Sequence, residues 1–426
     1  MTRKILHCAD IHLDSPLQKL GTYEHAPIDR IRGASRRALE SMVNLAVEQS
    51  VDLVVIAGDL YDGDWHDQNT GLFFVAQSNR LVQAGIPVVV IRGNHDAANV
   101  MTSSLPLPRN PDGSEIMLGC ERVDQRMLED KGLAVHGRSF RTRAETENLA
   151  SEYPAPVSGM FNIGLLHTSL TGAEGHDPYA PCTPAQLTDK QYDYWALGHV
   201  HARSEFTLPS GTPIHFSGNL QGRHIRETGP KGCLIVDVDH RNQCTTQFHP
   251  LDVVRWETCA LQLDGLNHLD GVTDAFQAWL QKAISDAGDR LLVVRVEFQG
   301  TTEIDQLLRR KLKQVRASLQ AVAVSHGQDR VWLEDCKIRT NAPARTAHTI
   351  DLDGPLESLN AVIQELRSDP KVSDVVQHEL RSLLRKLPAE LNEIDALPTD
   401  RSQWTDELVE SAAAEVYGRL NGGSTE

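Results

Sequence analysis

Aromatic side chains are scarce, 5% of 426 residues, and no apolar run approaches the about 20 residues that a membrane-spanning helix requires. Membrane insertion is therefore not expected. The opening MTRKILHCADIHL meets a histidine and an aspartate too early to form a signal-peptide core, which predicts a protein that is not secreted. Seven cysteines, Cys8, Cys120, Cys182, Cys233, Cys244, Cys259 and Cys336, are scattered without C-x-x-C spacing, which argues against a disulfide framework and a zinc knuckle and fits a reducing cytoplasm. Positive charge is also deficient. With 42 basic and 58 acidic residues the net charge is −16, the wrong sign for holding nucleic acid by bulk electrostatics. Residues 351–426 contribute −9 of this, from 16 acidic and 7 basic side chains. Carboxylates that hold divalent ions are neutralised locally, so nucleic-acid binding stays open through basic patches and metals. Low-complexity tracts and internal repeats are absent too, and a 40% hydrophobic, 23% charged composition is that of a globular chain of two or three domains.

The first 100 residues alternate buried-strand runs with helical spacing. Lys4–Cys8, Leu53–Ala57 and Val88–Ile91 are separated by a helical pattern through Leu39, Val43 and Val47 and another from Leu72 to Gln83. This βαβαβ order predicts a parallel sheet. Two more buried strands are expected at Phe161–Leu166 and Tyr194–Leu197, and the short strands and turns of Phe206–Leu251 read as an antiparallel sheet that completes a sandwich. A second, small α/β unit follows, with strands from Val254, Leu291 and Val331 around helices centred on Leu280 and Leu312. Residues 341–355 read as a linker and 356–426 as an amphipathic, acidic helical tail.

Five short segments fall at the carboxyl ends of the predicted strands: Asp10-Ile11-His12, Gly58-Asp59, Gly93-Asn94-His95-Asp96, His167, and Gly198-His199-Val200-His201. Ligands of open α/β sheets sit at that edge, so residues almost 200 positions apart can converge there. Each segment alone is more often a turn or a satisfied core side chain, but five in this order at strand ends point to one cleft. Oxygen and imidazole donors without thiolate suit Mn²⁺, Fe, Zn²⁺ or Mg²⁺, and the set exceeds what one ion needs. Two ions sharing a carboxylate polarise one phosphoryl group and activate water near neutral pH.

The order D-x-H, GD-x-x-D, GNHD, H, GH-x-H resembles the calcineurin-like metallophosphoesterases. The strings ILHCADIHLD, VIAGDLYD, VIRGNHD and YWALGHVH, with GNLQGRHIRETGPKG, are similar to DNA double-strand-break repair exonucleases of the bacterial SbcD type, in a YhaO-like branch. The resemblance covers roughly the first 250 residues. It implies an α/β/β/α sandwich over 1–251, an α/β capping domain over 252–340, and two bound divalent ions, Mn²⁺ foremost. One ion would take Asp10, His12 and His201, the other Asn94, His167 and His199, with Asp59 between them. His95 would protonate or steer the leaving oxygen, and Asp62 would orient it, where eukaryotic and archaeal nuclease relatives often carry histidine. The implied partners are DNA and an SMC-like coiled-coil ATPase, with the nuclease often dimeric and the tail as the docking element.

Arg223, His224, Arg226 and Lys231 form a polar segment that could meet DNA phosphates, and Arg309, Lys313 and Arg316 make a basic stripe on one helix. His176-Asp177-Pro178-Tyr179 could rim the cleft or form a turn. The expected activity is metal-dependent DNA phosphodiester hydrolysis, exonucleolytic or endonucleolytic. A phosphatase or cyclic-nucleotide phosphodiesterase with the same metal site, and a non-cutting scaffold, are the alternatives.

Overall fold

The computed structural model describes residues 2–15, 26–62, 67–97, 106–170, 179–208, 210–343 and 361–362. The expected linker and helical tail thus lie almost wholly outside the described residues. The near-continuous apolar runs LVVIA and VVVI become fully buried strands, as expected where parallel strands are covered on both faces. Strands β1 (Arg3–Cys8), β2 (Leu53–Ala57) and β3 (Val88–Ile91) pair in parallel, with Leu6 opposite Val54 and Val54 opposite Val88. A second sheet is built from β4 (Asp124–Leu128), β5 (Leu133–Gly137), β6 (Phe161–His167), β7 (Tyr194–Gly198), β8 (Ser204–Thr207) and β9 (Pro213–Phe216), in the order β4-β5-β6-β7-β9-β8. Its middle strands β5, β6, β7 and β9 are parallel, and β4 and β8 are antiparallel edges.

The segment 206–251 does not make one antiparallel sheet. β9 joins β7 in parallel, while β10 (Gly232–Val238) and β11 (Cys244–Pro250) extend the first sheet to β11-β10-β1-β2-β3. The local pattern of short strands and turns fixes each strand but not which of two sheet edges it joins, because that choice rests on partners far away in sequence.

Strand parity then sorts the core. Ile5, Leu53, Val55 and Ala57 face Phe161, Ile163, Leu165, Tyr194 and Ala196 in a layer between the sheets. The alternate residues Leu6, Cys8, Val54 and Ile56 face outward onto α1 (Ala34–Glu48) and α2 (Gln68–Gln83), through Leu39, Met42, Val43 and Phe74. On the other sheet Leu166, Trp195 and Leu197 pack against the 3₁₀ turn Leu149–Glu152 and the helix Pro184–Thr188. The layers are therefore α/β/β/α.

By its contacts the chain divides into two compact units. One comprises Met1–Cys259, Leu280–Arg295 and Ala323–Asp335, and the other Ala260–Trp279, Val296–Val322 and the chain from Cys336 on. The strands Val254–Gln262, Leu291–Thr301 and Val331–Asn341 form a three-stranded sheet with the middle one of these central, and the helices Asp270–Ala287 and Asp305–Gly327 alternate with them. The last strand runs from Val331 through Asn341, to the start of the expected linker. In the second unit Leu261, Phe276, Phe298, Leu308 and Leu319 are buried. Arg309 of the expected basic stripe is tied to Asp305 and to the Thr340 carbonyl. No helix among the described residues is long and apolar enough to cross a membrane.

A polar residue sits inside the layer between the sheets. His7 is fully buried, its Nδ1 3.0 Å from the Tyr194 hydroxyl and its Nε2 3.3 Å from the Leu197 carbonyl, a pairing that suits a neutral ring donating through Nε2. Burial, with help from His215, brings its pKa down to about 3. The unfolded chain takes up this proton near pH 6.5 and the folded protein resists it, so stability falls as pH drops from about 6.5 towards 3. At pH 5 the loss from His7 alone is about 2 kcal/mol. Urea unfolding in EDTA should therefore show a lower midpoint at pH 5 than at pH 7, and a smaller difference in His7→Gln. An equal pH dependence in the variant would contradict this account of His7.

Candidate metal centre

The five strand ends meet at one edge of the sandwich. Directly after β1, β2 and β7 the backbone turns through the left-handed region at Asp10 (φ 50°), His12 (44°), Asp59 (53°) and His199 (99°). Non-glycine residues there carry about 1–3 kcal/mol of strain each and persist only where the surroundings over-determine them. Those surroundings are on hand. Asp10 N–H donates to the Gly58 carbonyl and His12 N–H to the Asp59 carbonyl, both at 3.0 Å. His199 N–H donates to both oxygens of the Asp10 carboxylate, at 3.0 and 3.1 Å, and His95 N–H donates to Asp59 Oδ1 at 3.0 Å. Two glycines are fixed by crowding. A Cβ at Gly93 would stand 2.2 Å from Asp59 Oδ1, and one at Gly198 would stand 2.0 Å from the Ala57 carbonyl oxygen.

The donor atoms cluster accordingly. Asp10, His12 and His201 form one group whose donor atoms lie within 4.8 Å of one another, and Asp10, Asp59 and His167 form another. His12 Nε2 faces His201 Nε2 at 3.1 Å and Asp59 Oδ2 at 3.8 Å. His167 Nε2 lies 3.0 Å from Asn94 Oδ1 and 3.5 Å from Asp59 Oδ2, while its Nδ1 is 2.8 Å from the Ala57 carbonyl. A carbonyl only accepts, so Nδ1 carries a proton, while Nε2 faces two acceptor oxygens and would turn a lone pair to a cation bound between them. His199 stands beside His167, ring centroids 5.2 Å apart, and beside Tyr179 at 5.5 Å. The rest of the expected rim, His176 to Pro178, lies outside the described residues. Asp10, with a place in both groups, is as well placed as Asp59 to be shared.

These residues fit divalent cations. Asp10, His12, Asp59 and His167 are essentially inaccessible to solvent, and two buried carboxylates in one small volume need positive charge beside them. His12 Nε2 is the ring nitrogen turned to the other donors, and its Nδ1 is buried 3.6 Å from Asp62 Oδ1 without a hydrogen bond among the described residues. Burial, joined by the charge of Arg223, lowers the His12 pKa to about 3, so the ring is neutral, the form that binds metal. Burial pushes Asp10 up, against His201 and His167. For Asp59 burial acts in the same sense, but His167, His95 and His12 outweigh it and hold the carboxylate below its usual range.

His95 is more exposed than these donors, yet it joins His12 and Asp62 in a third group of donor atoms within 4.8 Å, its ring 4.9 Å from that of His12. Its side chain is 26% exposed, and its Nδ1 lies 2.9 Å from Asp62 Oδ1 but poorly aligned, as acid–base contacts often are without substrate. Burial lowers its pKa, but contact with Asp62 and the charge of Asp59 prevail and raise it. Asp62 is held low, burial being outweighed by His12, His95 and Arg223. Ser15 also donates to Asp62.

The expected phosphate-contacting cations separate. Arg223 lies along the wall of the centre, bound to Glu227, with Nη1 3.6 Å from Asp62 Oδ2. Lys231 is buried and donates to the His201 carbonyl at 3.0 Å. Arg226 is exposed. Asp96, next to His95 in sequence, received no role from sequence, yet it holds the loops together. Fully buried, it accepts from the backbone N–H groups of Leu60, Tyr61 and Gly93 at 3.0 to 3.1 Å. Its position in the GNHD string was the available signal, but a carboxylate bonded to backbone leaves no mark distinguishing it from a ligand.

An amide at position 96 must turn its NH₂ towards at least one of those N–H groups. Asp96→Asn should therefore cost about 1–3 kcal/mol, the penalty of a buried donor left unpaired. Urea unfolding in EDTA measures it, and an unchanged midpoint would remove Asp96 from this role.

Comparison with known proteins agrees with this geometry. The family model for calcineurin-like phosphoesterases matches residues 3–203, and the model for the middle domain of metallophosphoesterase YhaO matches residues 256–341. A Bacillus subtilis (strain 168) protein named "Uncharacterized metallophosphoesterase YhaO" is 33% identical over 299 residues, 70% of this chain and 71% of that protein. The DNA double-strand break repair protein Mre11 of Sulfurisphaera tokodaii is 26% identical over 242 residues, 55% of this chain and 59% of the relative. A subunit of the nuclease SbcCD of Staphylococcus epidermidis is 23% identical over 277 residues, 59% of this chain and 70% of the relative. The chain belongs to the calcineurin-like metallophosphoesterases, its phosphoesterase domain followed by a YhaO middle domain.

Proposed function

We propose that this metallophosphoesterase is a nuclease that hydrolyses DNA phosphodiesters, as an exonuclease or endonuclease, in DNA repair. The pairing of His95 with Asp62 at the exposed side of a buried double donor group carries the phosphoester-hydrolysis part of the proposal, and the nuclease part rests on the Mre11 and SbcCD relatives. In this reading Asp10, His12 and His201 hold one divalent ion and Asn94, His167 and His199 the other, with Asp59 shared and Mn²⁺ as the metal. Such ions, when bound, polarise a phosphoryl group and make water nucleophilic near neutral pH.

The chain's own residues do the rest. His95 gives a proton to the departing sugar oxygen, a task for an imidazole whose pKa is raised by Asp62. Asp62 turns the ring and keeps it basic enough to be reloaded. Asp59 fixes the same histidine from behind through the His95 N–H. The exposed Arg226 lies on the segment expected to meet a backbone phosphate, whereas Arg223 and Lys231 are committed to the wall of the centre. DNA as substrate is supported by the names of the Mre11 and SbcCD relatives. An SMC-like ATPase partner, a homodimer and a cytoplasmic setting are implied by the sequence resemblance alone and belong to this proposal.

Purified protein and His95→Ala should be incubated with Mn²⁺ on end-labelled duplex, single-stranded DNA and a small phosphodiester. Wild type should cut DNA, and His95→Ala should retain two ions per chain while losing turnover by about 10²- to 10⁴-fold. Asp62→Asn should lose less, and Asp59→Asn should lose metal as well as activity. Cleavage of the small ester alone would overturn the nuclease reading in favour of a small-substrate phosphodiesterase. An emptied metal site in His95→Ala would overturn its non-ligand role.

A further inference from the structure

Glu227 belongs to none of the strand-end motifs. It lies between β9 and β10, and it is 6% exposed. Its Oε1 sits 2.8 Å from His201 Nδ1 and accepts from Arg223 Nη2 at 3.1 Å. Its Oε2 accepts from Asn219 Nδ2 at 2.9 Å and from the Arg223 backbone N–H at 2.6 Å. The carboxylate is thus bonded on both oxygens and cannot swing away from the imidazole.

We infer that Glu227 is a positioning residue of the metal centre. A neutral imidazole carries one N–H, and a carboxylate at Nδ1 selects the tautomer that keeps it there. His201 Nε2 is then left as a lone pair, turned to the place where His12 Nε2 and Asp10 also point. Arg223 completes the device. Its guanidinium holds Glu227 on one side and approaches Asp62, the neighbour of His95, on the other. One partly buried cation therefore braces a metal donor and the acid–base pair together.

The inference rests on reading Asp10, His12 and His201 as the donors of one ion. The simpler account is that Glu227 only neutralises Arg223. The two differ in what a substitution does. Glu227→Gln keeps size and shape, but its NH₂ must face either His201 or the Asn219 and Arg223 donors. If Glu227 sets the tautomer, one ion suffers and the other does not. If it only balances charge, folding suffers and metal binding does not.

The test uses the full chain, with Glu227→Gln and Glu227→Ala beside wild type. Calorimetric titration with Mn²⁺ should show two ions in wild type and, in each variant, one ion weakened by about 10- to 100-fold with the other unchanged. Saturating Mn²⁺ should restore most of the lost turnover. In metal-free protein carrying ¹⁵N-labelled histidine, His201 Nε2 should report an unprotonated nitrogen in wild type and a mixture of tautomers in Glu227→Ala. Variants that bind both ions as wild type does, or that lose both ions along with metal-free thermal stability, overturn the positioning role. Wild-type protein that takes up only one ion overturns the reading of the centre itself, and this inference with it.

Discussion

The hydrogen bond from His167 to the Ala57 carbonyl joins the two sheets at the edge where the donors gather. β6 puts Phe161, Ile163, Leu165 and His167 on the same side of the strand, and β2 presents Leu53, Val55 and Ala57 to that layer. Apolar packing sets the approach of the sheets, and the last residue of β6 arrives as a polar group against the last carbonyl of β2. Because the sheets come so close there, no side chain fits at Gly198, and His167 Nε2 is delivered to Asp59 and Asn94. The centre is thus an outcome of sandwich packing carried to its end.

That placement creates an electrostatic problem that the same residues partly solve. Asp10 and Asp59 are taken out of water, and each must be offset by imidazoles, backbone N–H groups or bound cations. At the left-handed turns the Asp10 and His12 N–H groups pair with backbone carbonyls and the His199 N–H with the Asp10 carboxylate, while the side chains of Asp10, His12, Asp59 and His199 converge. Asp96 stitches the loops after β2 and β3 from below, and Arg223 with Glu227 braces the opposite wall. Local strain, buried charge and the fixed loops are parts of one arrangement. Relaxing any of them lets the carboxylates move apart.

Residues whose role depends on strand parity and strand ends were legible in advance. Leu53–Ala57 and Val88–Ile91 have the bounds expected of them, since an apolar run flanked by turn residues carries its own limits. Asp10, Asp59, Asn94, His167 and the His199–His201 pair could be gathered because each follows such a run. Residues whose role depends on a partner from another segment were not. Arg223 and Lys231 looked like solvated cations of a polar loop, and only the fold turns them onto Glu227 and His201. Glu227 lies inside the GNLQGRHIRETGPKG string, but nothing local ties it to His201.

The sequence by itself determined the strands, their burial, and a set of donor types in a fixed order, because alternation and turn chemistry are written within a few residues of each position. The tertiary structure alone decided that β9 joins one sheet and β10 the other, that Asp10 lies within reach of both donor groups, and that Glu227 faces His201. Each of these is a distance between segments far apart in the chain, set by how the sheets pack, and no local pattern encodes such a distance.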